Sequence, residues 1–368
     1  MLSNNKRKLS KSIVCHKIVE INRLLGLLFV CVLIGITCLS LPANAAPNRD
    51  NSYLVSLVPP SSNPPIFDPQ KVNLGITPTG WSNSDDQTID LTPPIPYQQI
   101  MSEMALSGFK GTQGSPKFPK DMEVLKSELK LRNLKISEPW VGMHFTEPGK
   151  KEETIEEFKK QINFMKEMGG NRIVVAEMGG AVHLNKDVDP LTDRPRFNDQ
   201  QWRDLTDGLN TLGLMAKNEG FQLCYHPHIG TGVENLADID RLMANTNSDN
   251  VKLLLDTGHL YYAGVNPLDV TQKYANRIKH VHLKNIRQSV LDDSKQAKRS
   301  FLNAIRAGIF TVPGDPAGAI DFKPILDTLA KANYQGWLIV EAEQDPNKAN
   351  PLKYALMART YLAQVTGL

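Results

Sequence analysis

Cysteine is scarce where it could cross-link a fold. The chain has four, and Cys15, Cys31 and Cys38 all lie in the first 45 residues. Past that point only Cys224 remains, so no intramolecular disulfide can form and an apolar core alone must hold the structure. A surplus of charge is missing as well. The formal net charge is +3, but the first 45 residues carry six Lys/Arg against the single Glu20, which leaves −2 for the remainder. Such a balance lacks the electrostatic footprint of a nucleic-acid binder. No Gly-x-Gly-x-x-Gly follows an early apolar run, which argues against an open doubly wound sheet holding a dinucleotide. Internal repeats and a second domain are also missing.

What is present begins with an address. Lys6, Arg7, Lys8, Lys11, Lys17 and Arg23 precede the uncharged apolar run Leu24 to Leu41, and Pro42-Ala-Asn-Ala45-Ala46 follows. That order reads as a secretory signal over residues 1–45, cut near Ala45, with export to the periplasm or the outside as its consequence. The alternative is a retained membrane tether, since eighteen apolar residues nearly span a bilayer. Once the signal is cut, no stable membrane insertion is expected. Residues 46–70 are rich in Pro, Ser and Asn and read as an extended lead-in without its own core.

From residue 71 to 368 the chain reads as one domain. Short apolar runs at 71–77, 109–113, 136–145, 171–177, 221–226, 251–256, 278–284 and 336–341 have strand character. Helical stretches lie between most of them. Glu152 to Met168 places Ile155, Phe158, Ile162 and Met165 at three-and-four spacing and stops at Gly169-Gly170. Trp202 to Glu219, Phe322 to Asn333 and Pro351 to Leu362 follow suit. Eight strands, each followed by a helix or a long connection, point to an α/β fold, the (β/α)8 TIM barrel. The seventh connection holds Gly308 to Asp315, and loops of that length are more often functional than idle.

In such a barrel the chemistry sits where the strands end. Alternation along each run predicts which side chains face inward. It puts Glu177 inward on the fourth strand, with Val174 and Ala176 outward. On the fifth it puts Cys224, His226 and His228 inward, and on the sixth Asp256. On the seventh it selects His280, His282 and Lys284, and on the eighth Glu341 and Glu343. Taken singly, each has a bland reading as a core histidine, a turn cap or a surface charge. Successive strands delivering polar groups to one mouth are a stronger signal. Two imidazoles with two carboxylates suit Mn²⁺, Co²⁺ or Zn²⁺ better than Ca²⁺. The expected ligands are His226, Asp256, His282 and Glu341, with Glu343 competing for the place of Glu341. His280 would lie about 7 Å deeper than His282 and reads as a packed core histidine. Trp81, Gln113, His144 and His259 are expected to line a substrate, whereas His183 reads as serving its Gly-Gly-Ala loop.

Several stretches resemble one family. Gly75-Ile-Thr-Pro-Thr-Gly-Trp81, Met104-Ala-Leu-Ser-Gly-Phe109, Lys117-Phe-Pro119 and His226-Pro-His-Ile-Gly-Thr231 are similar to the inosose dehydratases, xylose isomerase-like barrels. So are Leu255-Asp-Thr-Gly-His-Leu260, His280-Val-His-Leu-Lys284, Phe310-Thr-Val-Pro-Gly-Asp315 and Gly336-Trp-Leu-Ile-Val-Glu-Ala-Glu-Gln-Asp-Pro346. The resemblance spans roughly residues 71–366. It implies a metal-dependent hydro-lyase, loaded with Mn²⁺ or Co²⁺, that dehydrates 2-keto-myo-inositol to a cyclic diketone. Within that reading, His228 or Glu177 would move protons and Lys284 would assist developing negative charge. The chain departs from the family pattern at Gln113 and Asn285, where the family has Glu and Asp, and in its export signal. A sugar isomerase or epimerase, or an exported sugar-binding protein that has lost catalysis, are the alternatives. A small polyol or keto-sugar is the expected partner, and assembly into a homo-oligomer stays open.

Overall fold

The computed structural model describes residues 56–368. The signal read over residues 1–45 lies outside the described residues. Eight strand positions build one parallel sheet that curls round on itself. They are β1 (Val72–Ile76), β2 (Gly111–Thr112), β3 in two pieces (Lys135–Ile136 and Trp140–Met143) and β4 (Arg172–Glu177). The remaining four are β5 (Gln222–Tyr225), β6 (Val251–Asp256), β7 (Ile278–Leu283) and β8 (Gly336–Val340). The order runs β3-β2-β1-β8-β7-β6-β5-β4 and comes back to the second piece of β3. This is the (β/α)8 barrel that the alternation of runs predicts.

The division of β3 is where the circle turns. Its first piece pairs with β2 (Thr112↔Ile136) and its second with β4 (Trp140↔Val174). Ser137, Glu138 and Pro139 stand between them, and Pro139 has no N–H for a ladder. Contact is still kept across the break. The Glu138 carbonyl accepts from the Gly114 N–H at 2.9 Å, and the Pro139 carbonyl accepts from Val174 at 3.3 Å.

The outer layer is helical. Asp199–Asn218 starts with Asn198 and Gln201 capping each other reciprocally. Lys151–Met168 ends at Gly169, whose φ of 70° is the left-handed conformation that glycine adopts at little cost. The large core fills the space between strands and helices, with Ile173, Val175, Leu223, Leu253, Val281, Leu338 and Val340 pointing into it. A small separate cluster of Val174, Cys224 and Leu254 fills the barrel interior. The lead-in has no strand or helix over residues 56–70 but is bound to the barrel. Val58 and Phe67 are buried, and the N–H groups of Leu57 and Ile66 donate to Leu106 and Thr366 at 2.7 and 2.8 Å.

The connection after β7 makes an antiparallel pair, Asn285–Ile286 with Phe310–Thr311, and two short helices, Gln288–Gln296 and Phe301–Arg306. Among the described residues, no helix is long and apolar enough to cross a membrane.

Candidate functional site

The polar ends of β5 to β8 meet at one mouth. His226 follows β5, held there by its N–H donating to the Val175 carbonyl at 2.8 Å. Its Nε2 is 3.3 Å from Asp256 Oδ2. Asp256 closes β6 and caps the helix Thr257–Tyr262, its Oδ1 accepting from the His259 N–H at 2.9 Å. His282 of β7 lies in register with Asp256 on one side and Ile339 on the other. Its Nδ1 is 2.8 Å from Glu341 Oε2 and 3.7 Å from Asp256 Oδ2. His226, Asp256, His282 and Glu341 each bring one ligand atom to within 4.8 Å of the others, all in buried side chains. Glu343 stands apart from that set, with one oxygen bonded to Lys284 at 2.7 Å.

The Asp256-Thr-Gly-His259 stretch makes room for a lysine. Lys284 is fully buried and passes Gly258 so closely that a Cβ there would meet its Cγ at 2.5 Å. Thr257 Oγ1 ties the two strand ends together, donating to the Lys284 carbonyl at 2.7 Å. The Lys284 ammonium donates to Glu343 and to His259 Nε2 (2.9 Å) and lies 3.1 Å from Glu341 and 3.5 Å from Asp256.

This arrangement sets the charge states. Burial alone would raise Asp256, but Lys284, His259 and the bonds from His226 and His282 hold it well below the usual carboxylate range. Burial pushes Glu343 up to about 8, with Lys284 opposing and Glu341 and Asp85 reinforcing. Asp85 rises to about 6, chiefly through burial. Burial and the charge of neighbouring imidazoles and Lys284 keep His228 and His259 well below the ordinary histidine value.

A cavity of about 360 Å³ opens above the four-residue set. Its wall includes His226, His228, His259, His282, Glu341 and Glu343. A larger cavity of about 510 Å³ lies under the helices Met122–Leu131 and Lys151–Met168, but its apolar wall (Phe118, Leu125, Phe164) offers little chemistry.

The expected substrate-lining residues divide. Gln113 and His259 reach the cavity wall. Trp81 does not: it is buried behind β1, its Nε1 donating to Glu103 at 2.6 Å. His144 turns out to a half-exposed pair with Glu147 at 3.0 Å. Glu177 also departs from expectation. Val174 fills the barrel interior, so the inward face of β4 is 174 and 176, and Glu177 points outward. Its carboxylate accepts from the N–H groups of Phe145, Thr146 and Gly179 and from the Thr146 hydroxyl. Lys284 is at the mouth but beneath the cavity floor, behind His259 and Glu343. Asn285 is away from the mouth, its Oδ1 accepting from Ile286 and Ile320, so the loss of a carboxylate there leaves the cavity untouched.

Asp85 and Trp140 were not read from the sequence, yet they line the cavity, and so does His183, which was read as serving its Gly-Gly-Ala loop. The Trp140 ring is edge-on to His226 and His228 at 5.3 and 5.9 Å, and His183 lies 5.0 Å from His228. Glu138 is buried beside His280 and His282. An acidic residue inside an apolar run was the available signal for Glu138. Asp85 and His183 sit on loops, where no periodicity points.

The relatives agree with this architecture. The family described as xylose isomerase-like TIM barrel matches residues 101–362. An inosose dehydratase of Clostridium beijerinckii is 48% identical over 302 residues, covering 82% of this chain and 100% of its own length. One from Geobacillus thermodenitrificans is 45% identical over 303 residues, with 82% and 100% covered. Among solved structures, a probable 3-DHS dehydratase from Bacillus anthracis superposes with a TM-score of 0.58 at 15% identity, over 79% of this chain and 99% of its own. The IOLI protein with a bound zinc atom superposes at 0.56 and 17%, over 80% and 98%. At those identities the structures speak for the fold alone. On sequence and fold together, the chain belongs to the inosose dehydratase family of xylose isomerase-like TIM barrels.

Proposed function

We propose that this chain is a divalent-metal-dependent hydro-lyase that removes water from a cyclic keto-polyol of the inosose type. The observation that carries the reading is the meeting of four ligand atoms within 4.8 Å under a cavity whose lining includes four histidines from the ends of β5 to β7 and two glutamates after β8. Similarity to inosose dehydratases along their whole length supports the choice of substrate.

The residues fit a metal. Two imidazoles and two carboxylates converge in a buried place where carboxylates need compensation. His226 also keeps a buried ring nitrogen, Nδ1, without a protein partner. His226, Asp256, His282 and Glu341 would hold the ion, with Mn²⁺ or Co²⁺ the favoured occupants. When bound, such an ion supplies a Lewis acid for a substrate carbonyl.

The protein's own groups supply the rest. His228 Nδ1 is committed as a donor to the Ile229 carbonyl at 2.8 Å, which leaves Nε2 with the lone pair. A neutral imidazole with a free lone pair on the cavity wall is suited to take the proton beside the ketone. Glu343 keeps its Oε2 without a partner and is placed to return a proton to the departing hydroxyl. Lys284 acts from below, compensating Asp256, Glu341 and Glu343 together. Glu177 takes no part.

The N-terminal run of basic, apolar and small residues supports export of the enzyme. The test of the activity is metal analysis of the purified protein joined to an inosose dehydration assay followed by NMR. Wild type is expected to carry close to one divalent ion and to release the cyclic diketone. Asp256→Ala should lose the ion and more than about 100-fold of the rate, since even an outer group typically costs 10–100-fold. Full metal retention by the variant would sink the ligand set. Epimerised ketose with intact inosose would sink the reaction.

A further inference from the structure

One buried group outside the four-residue set touches a member of it. Glu138 stands in the break of β3, and its side chain is fully enclosed. Oε1 lies 3.3 Å from His282 Nε2 in hydrogen-bond geometry. Oε2 lies 3.2 Å from His280 Nε2, close but not aligned as a hydrogen bond. Among the described residues, these two imidazoles are its ion-pair partners. A buried carboxylate without a donor is strongly unfavourable. A carboxylate only accepts, so the hydrogen in the Glu138–His282 contact belongs to Nε2. Nδ1 faces the carboxylates of Glu341 at 2.8 Å and Asp256 at 3.7 Å, so without a cation it carries a hydrogen as well, and a cation held there would take the place of that hydrogen while Glu138 keeps the one on Nε2.

We propose that Glu138 is a positioning residue that holds the hydrogen on Nε2 of His282 and so turns Nδ1 of the ring toward a divalent cation. The inference rests on the reading of His226, Asp256, His282 and Glu341 as the cation site. Ring nitrogens that hold a metal are oriented through the hydrogen bond of the other nitrogen. Residue 138 stands where the two pieces of β3 meet, its carbonyl still bonded to Gly114 and its carboxylate against His280 and His282 of β7. Glu138, His280 and His282 also bring ligand atoms within 4.8 Å of one another. A second cation there would need both nitrogens of His282 deprotonated at once, so the hydrogen on Nε2 and a second ion exclude each other.

The test uses the full chain with ¹⁵N-labelled histidine, loaded with diamagnetic Zn²⁺ for NMR, and Co²⁺ as the optical probe. In the Zn²⁺-loaded wild type, long-range ¹H–¹⁵N correlation is expected to show His282 with its hydrogen on Nε2 and Nδ1 free of hydrogen. E138Q, whose amide can donate to Nε2, should shift His282 toward Nδ1–H. Its affinity for Co²⁺, followed by visible absorption, should fall about 10–100-fold with an altered ligand-field band. Circular dichroism of the metal-free variant checks its folding, and the wild-type tautomer decides the matter even if E138Q does not fold. An Nδ1–H tautomer in the Zn²⁺-loaded wild type, two Co²⁺ per chain, or a folded E138Q with unchanged affinity and band overturns the proposal. A wild type that binds no Co²⁺ overturns the cation reading and this inference with it. Equal affinity of wild type and a folded E138Q for Co²⁺ overturns this inference alone.

Discussion

The two carboxyl oxygens of Asp256 face different demands. Oδ1 caps a helix and Oδ2 faces His226 and His282, so the turn cap and the proposed ligand are one residue. Glu177 shows the opposite outcome, because its oxygens are occupied by three backbone N–H groups and a hydroxyl. Glu177→Gln should therefore lower stability by about 1–3 kcal/mol, the usual effect of leaving buried donors unsatisfied. The rate constant kcat should stay within a few-fold of wild type. Urea unfolding beside steady-state kinetics checks this, and a collapse of kcat at unchanged stability would restore Glu177 to the chemistry. Protons offer a second test at this scale. Burial lowers His183 to about 4. The unfolded chain, with His183 near its ordinary value of roughly 6.5, takes up the proton first as pH falls. Stability should thus fall with pH between about 6.5 and 4, with His183 contributing on the order of 3 kcal/mol across the window. Urea midpoints at four pH values with chelator present should show a flatter dependence in His183→Asn. Parallel curves for the two proteins would rule the assignment out.

At the scale of elements, most of the barrel was legible because apolar runs are bounded by clear stops. Gly169 ends its helix as its place after Met168 suggests, and all eight runs become strands. Which face a strand presents was harder to read. Every residue of Arg172–Glu177 is buried, so no polar face marks the register, and an anchor one residue off turns Glu177 to the wrong side. On β6 and β7, Asp256 and His282 end runs whose outward leucines and valine set the phase, and those assignments hold geometrically. The break in β3 was hidden because 136–145 reads as one run, although Pro139 inside it was a warning. Trp81 and His144 were read from their place near strand ends, which says nothing of where a side chain turns after the strand stops. The long seventh connection carries its own prediction. Arg287 donates to the carbonyls of Gly308 and Phe310 at 2.7 and 3.0 Å and to Asp315 at 2.8 Å. It thereby holds the segment whose Phe301 and Phe310 rings lie 5.9 and 5.8 Å from His259. Arg287→Ala should cost about 2–3 kcal/mol, as charged hydrogen bonds do. It should also raise protease cleavage within 288–315 and lower kcat several-fold through a displaced His259. Unchanged proteolysis would show that the connection is held by its apolar contacts alone.

At the scale of the whole molecule, the described chain must keep its structure without a covalent staple. Cys224 is enclosed in the barrel interior with Val174 and Leu254, and burial pushes its thiol up to about 12. A thiol in that state is mostly protonated at neutral pH and shielded from reagents, so it neither cross-links nor reacts. A disulfide would typically add about 2–4 kcal/mol, and nothing past residue 45 can form one within the chain. The core between strands and helices therefore holds the barrel by itself, including outside the cytoplasm if the N-terminal signal is used. Protein recovered from an export compartment should begin near Ala46 by intact mass, and its thermal midpoint should be the same with and without reductant. Iodoacetamide should leave the native protein unmodified and label a single site once urea unfolds it. A second labelled cysteine would show that the first 45 residues are retained, because Cys15, Cys31 and Cys38 lie only there. Labelling of the native protein would instead mean that the barrel interior opens to solvent, contrary to the close packing that Val174, Cys224 and Leu254 share.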